Sequence, residues 1–338
     1  MASKSKKSNK TKADAESSSS SSARYYFLAF LPIPILFIAS QILRNTISSP
    51  AADHGSGSMF DLIANRYDFI NRALALNLDM SWRHRLVKEV VGAEGEIFTN
   101  NNNSGESIKI LDLATGTADV AILLGKAAER YTTSSSSAVL GLDPSQNMLN
   151  VGIDKVKHAD LSNIVSLKLG DARKLDSLDD NSINAATMSF GIRNVPEKET
   201  ALCEIHRVLK KDSSPSGPTT LESKLAIMEF SEPGPDSGIM GSMARFFIRN
   251  VVPAVGAALS GFPKEYMHLQ KSIKEFPSPP EFVKLMEGVK CRVRGGEDGE
   301  EWEIDTFGSF RVKEVVNLNF GSVQIYVATP ILKKYVTE

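Results

Sequence analysis

Histidine clusters, closely spaced cysteines, glycine-rich turns and any excess of basic charge are all missing from this chain. Only two cysteines, Cys203 and Cys291, occur in 338 residues. Their number and spacing exclude a disulfide framework or a cysteine-ligated zinc site, and both are read as reduced thiols. The five histidines are scattered, so no metal site is expected. With 39 basic against 40 acidic residues the formal charge is −1. That balance argues against a nucleic-acid partner, because neutralising phosphates takes a basic face. What is present is a chain 42% hydrophobic and 23% charged, long enough to bury a sizeable core.

The first 58 residues differ from the rest. Residues 1–24 are rich in lysine and then serine, with six consecutive serines from Ser17 to Ser22; such a tail cannot offset the entropy of folding and is expected to be disordered. Residues 25–43, YYFLAFLPIPILFIASQIL, run for nineteen residues without a charge between Arg24 and Arg44, close to the ~20 that span a bilayer core. A targeting peptide, a membrane anchor kinked at Pro32 and Pro34, and a buried helix are the three readings. The polar sequence on either side favours membrane attachment or targeting. Residues 44–58 then read as a linker, and 59–338 as the catalytic domain.

From residue 108 onward short apolar runs alternate with amphipathic stretches. Strands are expected at 108–113, 138–142, 165–169, 183–190 and 225–230, with helices at 119–129, 146–158 and 198–209. Repetition of strand and helix predicts a parallel, doubly wound α/β sheet. The last two runs, 310–318 and 322–329, are separated by three residues, too few for a crossover helix, so they should pair as an antiparallel hairpin. A parallel sheet finished by such a hairpin resembles the class I, Rossmann-like S-adenosylmethionine-dependent methyltransferases.

Ligands in open α/β sheets bind at the carboxyl ends of the strands. The first strand ends in ILDLATGTAD, offering Asp112, Thr115, Gly116 and Thr117; the second ends in GLDPS, placing Asp143 where a carboxylate can accept both hydroxyls of a ribose. The third ends in LGDAR. Here Asp171 and the Ala172 amide suit an adenine edge, and Ser189 closes the fourth strand. Helix capping is the plain alternative for several of these. A pyrophosphate needs a glycine-rich approach to the helix N-terminus, whereas this turn keeps one glycine, Gly116, beside Asp119. An unphosphorylated, cationic nucleoside fits better, which favours S-adenosylmethionine over a dinucleotide.

Several motifs in order resemble the ubiquinone/menaquinone biosynthesis C-methyltransferases, over residues 59–329. MFDLIANRYDFIN is similar to the family's opening helix through Phe60, Asp61, Ile63, Ala64, Tyr67, Asp68 and Asn71, and Trp82 closes that motif. SFGIRNV, MEFSEP and YMHLQKSIKEFP follow. Departures are Asp79 for the family's histidine, Ala75 for serine and His268 for tyrosine, with lengthened connections around 131–138, 211–224 and 292–309.

The resemblance implies C-methylation of a prenylated quinol, with Arg193, Asn194, Tyr67 and Asp68 as catalytic residues and no metal. A ring carbon attacks the methyl group as the neighbouring hydroxyl loses its proton, so fixed donors must stabilise a developing phenolate. Arg193 polarises that hydroxyl or a bridging water rather than acting as a base, since a guanidinium stays protonated. Implied substrates are 2-methoxy-6-polyprenyl-1,4-benzoquinol, toward which IKEFP leans, or a demethylmenaquinol or demethylphylloquinol; a non-catalytic scaffold that binds the donor is the other class. A homodimer or a quinone-biosynthetic complex is a further expectation. The benzoquinol reading implies the matrix side of the mitochondrial inner membrane, the naphthoquinol reading a plastid. The lysines preceding the apolar run suit the plastid better.

Overall fold

The computed structural model describes residues 57–99, 107–130, 138–211, 222–234, 237–261, 263–293 and 306–334, together with Gly55. The tail at 1–24, the apolar run at 25–43 and most of the linker at 44–58 lie outside the described residues. Among the described residues no helix is long and apolar enough to cross a membrane.

Eight strands form one sheet in the order β3-β2-β1-β4-β5-β8-β7-β6. The first five are parallel: β1 (Ile110–Leu113), β2 (Val139–Asp143), β3 (Val165–Leu169), β4 (Ala185–Ser189) and β5 (Lys224–Phe230). β7 (Thr306–Leu318) and β8 (Val323–Lys334) make the expected hairpin, and β8 runs antiparallel to β5. β1 lies between β2 and β4, so chain order reverses there and opens a crevice at the carboxyl edge.

Alternation along each strand builds two cores. Ile110, Val139, Ala185 and Met228 face one side, with Leu86 and Val90 of α3 (Leu78–Val91) and Leu124 of α5 (Asp119–Glu129). Leu111, Leu113, Met188 and Ile227 face the other, with Leu202 and Ile205 of α7 (Lys198–Val208) and Phe282 of α11 (Pro279–Gly288). A sheet buried on both faces explains why its strands read as continuous apolar runs. The expected helices at 119–129 and 146–158 match α5 and α6 (Gln146–His158), the latter capped by Ser145, whose hydroxyl accepts from the Met148 amide at 3.2 Å.

Further helices lie outside the alternating pattern. α1 (Ser58–Asp61), α2 (Ala64–Leu74) and α3 precede the sheet, with the short α4 (Glu96–Thr99) between α3 and β1. α8 (Gly238–Phe246), a π-helical turn (Phe247–Val251), α9 (Val252–Ser260) and α10 (Pro263–Glu275) follow β5.

One expectation is corrected. Cys203 on α7 and Cys291 on the two-residue β6 (Cys291–Arg292) are disulfide-bonded, not reduced thiols, because the fold brings their Cα atoms to 5.0 Å despite a sequence separation of 88. Closing so long a loop constrains the unfolded chain strongly. Cys291→Ser should therefore lower unfolding free energy by about 2–4 kcal/mol in oxidising buffer. Urea denaturation of both proteins checks this; equal midpoints would rule it out.

Candidate active site at the carboxyl edge

The turns after β1 and β2 are locked together by carboxylates. Asp112 accepts from the Thr115 hydroxyl at 2.6 Å and the Thr187 hydroxyl at 2.7 Å. Asp143 accepts from the Gly116 and Ser145 amides, each at 2.8 Å. Burial pushes both acids up to about 6, against the hydrogen bonds that favour their charged forms. Gly116 has φ +54°, and the space a Cβ would fill beside it is open. The Ser189 hydroxyl, at the end of β4, is buried without a partner.

Open space at Gly116, an unsatisfied hydroxyl and two strand-end carboxylates fit a nucleoside methyl donor. Asp143 would take its ribose hydroxyls. Asp171 sits at the end of β3, but its carboxylate accepts from the Arg173 guanidinium at 2.6 and 3.0 Å; burial opposes ionisation there, and Arg173 outweighs it and holds the acid low. Ala172 is buried beside it. Among the described residues no cluster of histidine, cysteine and acids could hold a metal.

Asp68 also belongs to this turn. Its carboxylate accepts from the Thr117 hydroxyl at 2.6 Å and from Lys155 Nζ at 2.7 Å. Lys155 reaches on to Asp119 at 2.6 Å, and Asp119 also accepts from Arg72 at 2.7 Å. Burial disfavours the Asp119 carboxylate, but Lys155 and Arg83 prevail and hold it low. The departure at Asp79 acquires a reason here: this buried acid pairs with both Arg72 and Arg83. α2, α3, α5 and α6 are thus tied across the donor turn.

Beside this cluster lies a cavity of about 1130 Å³ lined largely by apolar side chains. Phe190 and Phe230 stack in its wall at 4.4 Å between ring centroids, with Trp82 edge-on to both. Tyr67, Arg193 and Asn194 supply polar groups to the same cavity. Burial raises the Tyr67 phenol against the pull of Arg193 and Arg83, so it stays neutral. His268 lines the cavity as well.

Glu229 is the functional residue that sequence reasoning missed. It is fully buried on β5, and its carboxylate pairs with the Arg193 guanidinium while accepting from the Arg193 amide at 3.2 Å and the Phe230 amide at 2.8 Å. Arg193 further donates to the Phe190 carbonyl at 3.1 Å. Its Nε–H is buried with no partner. An acid inside the apolar run LAIMEF was the available signal. Arg83, also in the cavity wall and 5.8 Å from the Phe190 ring centroid, was missed likewise.

The two halves of the site touch through Gly191. A Cβ there would lie 2.4 Å from the Ala114 Cβ, forcing the Arg193 turn away from the donor turn. Gly191→Ala should lower kcat about 100-fold, as misplacement by roughly 1 Å does. Steady-state kinetics beside a thermal melt separates this from unfolding; unchanged kcat would contradict the geometry.

Comparison with known proteins identifies the family. The model of the ubiE/COQ5 methyltransferase family matches residues 50–292. The chain is 35% identical over 231 residues to the ubiquinone/menaquinone biosynthesis C-methyltransferase of Geotalea uraniireducens, covering 68% of this chain and 85% of that protein. It is 32% identical over 228 residues to the demethylmenaquinone methyltransferase of Thermotoga maritima, covering 68% and 84%. The chain belongs to the ubiE/COQ5 methyltransferase family of quinone biosynthesis and is an S-adenosylmethionine-dependent C-methyltransferase.

Proposed function

We propose that the chain methylates a ring carbon of a prenylated quinol, 2-methoxy-6-polyprenyl-1,4-benzoquinol. The observation that carries this reading is the Arg193 guanidinium. It is fixed by Glu229, keeps one buried N–H without a partner, and sits in the wall of a large apolar cavity. A flat, oxygen-bearing ring with an apolar tail fills such a site: Phe190 and Phe230 take its face, and Arg193 takes the hydroxyl.

The bound donor supplies an electrophilic methyl on a sulfonium. Arg193 and Asn194 lower the cost of phenolate character as the hydroxyl proton leaves to water or a neighbouring group. The ring carbon's electron pair would form the new C–C bond as the methyl–sulfur bond breaks, its electrons staying on the departing neutral thioether; that carbon's own proton is then lost to restore the aromatic ring, and the oxygen regains its proton. Asp68, Asp112 and Asp143 hold the donor turn in line with this attack, and positioning supplies much of the rate.

Benzoquinol is favoured over naphthoquinol by the IKEFP stretch, of which Ile273 lines the cavity. Membrane attachment through residues 25–43, on the matrix side of the mitochondrial inner membrane, belongs to the same reading; a plastid membrane belongs to the naphthoquinol alternative. Comparing kcat/KM of the full chain for short-tailed 6-methoxy-1,4-benzoquinol and a demethylnaphthoquinol tests the choice. Preference for the naphthoquinol would overturn it.

A further inference from the structure

Large apolar side chains left in water usually form small scattered spots, and a contiguous patch signals an interaction surface. Seven exposed apolar residues of this chain share one location, the lining of the quinol cavity. Four lie on α8: Ile239 is 80% exposed and Met243 60%, with Met240 and Phe246 beside them. Leu76, 76% exposed, and Leu78 come from the turn between α2 and α3. Phe320, 60% exposed, comes from the connection between β7 and β8. Three segments far apart in sequence therefore converge on one opening.

Backbone geometry holds two of these residues there. Leu76 has φ 50° and Phe320 φ 57°, left-handed conformations that side chains with a Cβ rarely adopt. Neither gains burial from the arrangement. Such positions persist where exposure of the residue serves something outside the fold.

We propose that this rim is a lipid-docking face, on which the catalytic body sits with its cavity opening toward the bilayer. The proposal rests on the prenylated-quinol reading, because a polyprenyl tail stays in lipid while its ring enters the site. Three observations select lipid over other occupants. The rim is continuous with the apolar cavity lining, so a tail can pass from bilayer to site without crossing water. Residues 238–260 contain two arginines, Arg245 and Arg249, and no acidic residue, a composition suited to phosphate headgroups; Glu232 offsets one of them by pairing with Arg249.

The third observation is the chain preceding the fold. Fourteen residues, 44–57, separate the charge-free run 25–43 from Ser58, where α1 begins. Met59 and Phe60 of α1 line the same cavity. Fourteen residues reach at most about 50 Å. An apolar run in the bilayer therefore keeps the rim within reach of the same leaflet.

The test places a single environment-sensitive fluorophore on the full chain at Ile239→Cys or Phe320→Cys, with Lys157→Cys on α6 as reference. Lys157 is exposed and outside the cavity lining, and the disulfide leaves the introduced thiol as the reactive one among the two native cysteines and itself. Vesicles of phosphatidylcholine with brominated acyl chains are the probe. Docking predicts that positions 239 and 320 are quenched by bromine roughly twofold or more beyond position 157, and shielded from aqueous iodide. Equal iodide access at all three positions, without bromine quenching, would mean a body hanging free of the membrane and would overturn the proposal. Shielding from iodide without bromine quenching would overturn it too, since residues 25–43 or a second copy would then cover the rim. Methyl transfer by the unlabelled chain to the short-tailed quinol in buffer is read separately, so failure of docking and failure of the quinol reading are distinguishable.

Discussion

Replacing Arg193 by lysine is expected to lower kcat about 100- to 1000-fold while the affinity for the methyl donor stays within about twofold. Lysine keeps a positive charge beside the buried Glu229, so the variant avoids the penalty, about 3–5 kcal/mol, of stranding one partner of a buried pair. It lacks the planar fork that binds Glu229 and the Phe190 carbonyl and still keeps an Nε–H without a partner. Arg193→Ala would combine lost catalysis with an unpaired carboxylate, which makes lysine the cleaner variant. Calorimetric titration of the donor beside single-turnover methyl transfer reads both quantities. A kcat within threefold of wild type would show that Arg193 is only structural.

Asp143→Asn is expected to weaken donor binding about 10- to 100-fold, the worth of roughly 1.5–3 kcal/mol for hydrogen bonds to a charged acceptor. The asparagine also presents an NH₂ to one of the two amides, Gly116 or Ser145, that the carboxylate now satisfies. Wild-type affinity should itself depend on pH. Asp143 and Asp112 titrate near 6, so donor affinity falls as pH drops through about 6, when protonation takes away acceptor capacity. In Asp143→Asn the part of that dependence due to residue 143 should vanish.

The same two acids bear on stability with the opposite sign to an ordinary ion pair. Their folded values lie above those of unfolded aspartate, so the folded state binds extra protons between about 4 and 6, and ionisation above that range works against folding. Each contributes up to about 3 kcal/mol of destabilisation near neutral pH. Asp119 and Asp171 behave conventionally: both are held low, and the stability of their ion pairs is lost as pH falls through their folded values. Asp112 and Asp143 are thus acids whose charge the fold tolerates at a cost.

What could be read from sequence follows the range over which each feature is determined. α5 and α6 are local, set by helical periodicity and a cap, and their limits agree with expectation to the residue. The final hairpin follows from a short connection. Topology makes strand ends the places to search, so Gly116, Asp143 and Arg193 could be singled out in advance as candidates. Features that depend on distant segments meeting were not legible. The Glu229 carboxylate reaches Arg193 across 36 positions, Asp68 reaches Thr117 across 49, and Cys203 reaches Cys291 across 88. A motif shows that such residues matter without showing which partner they choose. Asp68 is the clearest case: its neighbour Tyr67 lines the apolar cavity while Asp68 itself accepts from Thr117 in the turn after β1.

The central claim is that Arg193, held by Glu229 in an apolar cavity, stabilises phenolate character on the bound ring. It is tested most directly by the ionisation of a chromophoric phenol analogue of the quinol, titrated by absorbance when free, when bound to wild type and when bound to Arg193→Lys. A lower pKa on the wild-type protein than in solution, partly reverting in the variant because its Nε–H is gone, is the predicted result. An analogue that binds the cavity and titrates as it does in water, or as readily on the variant as on wild type, would contradict the account.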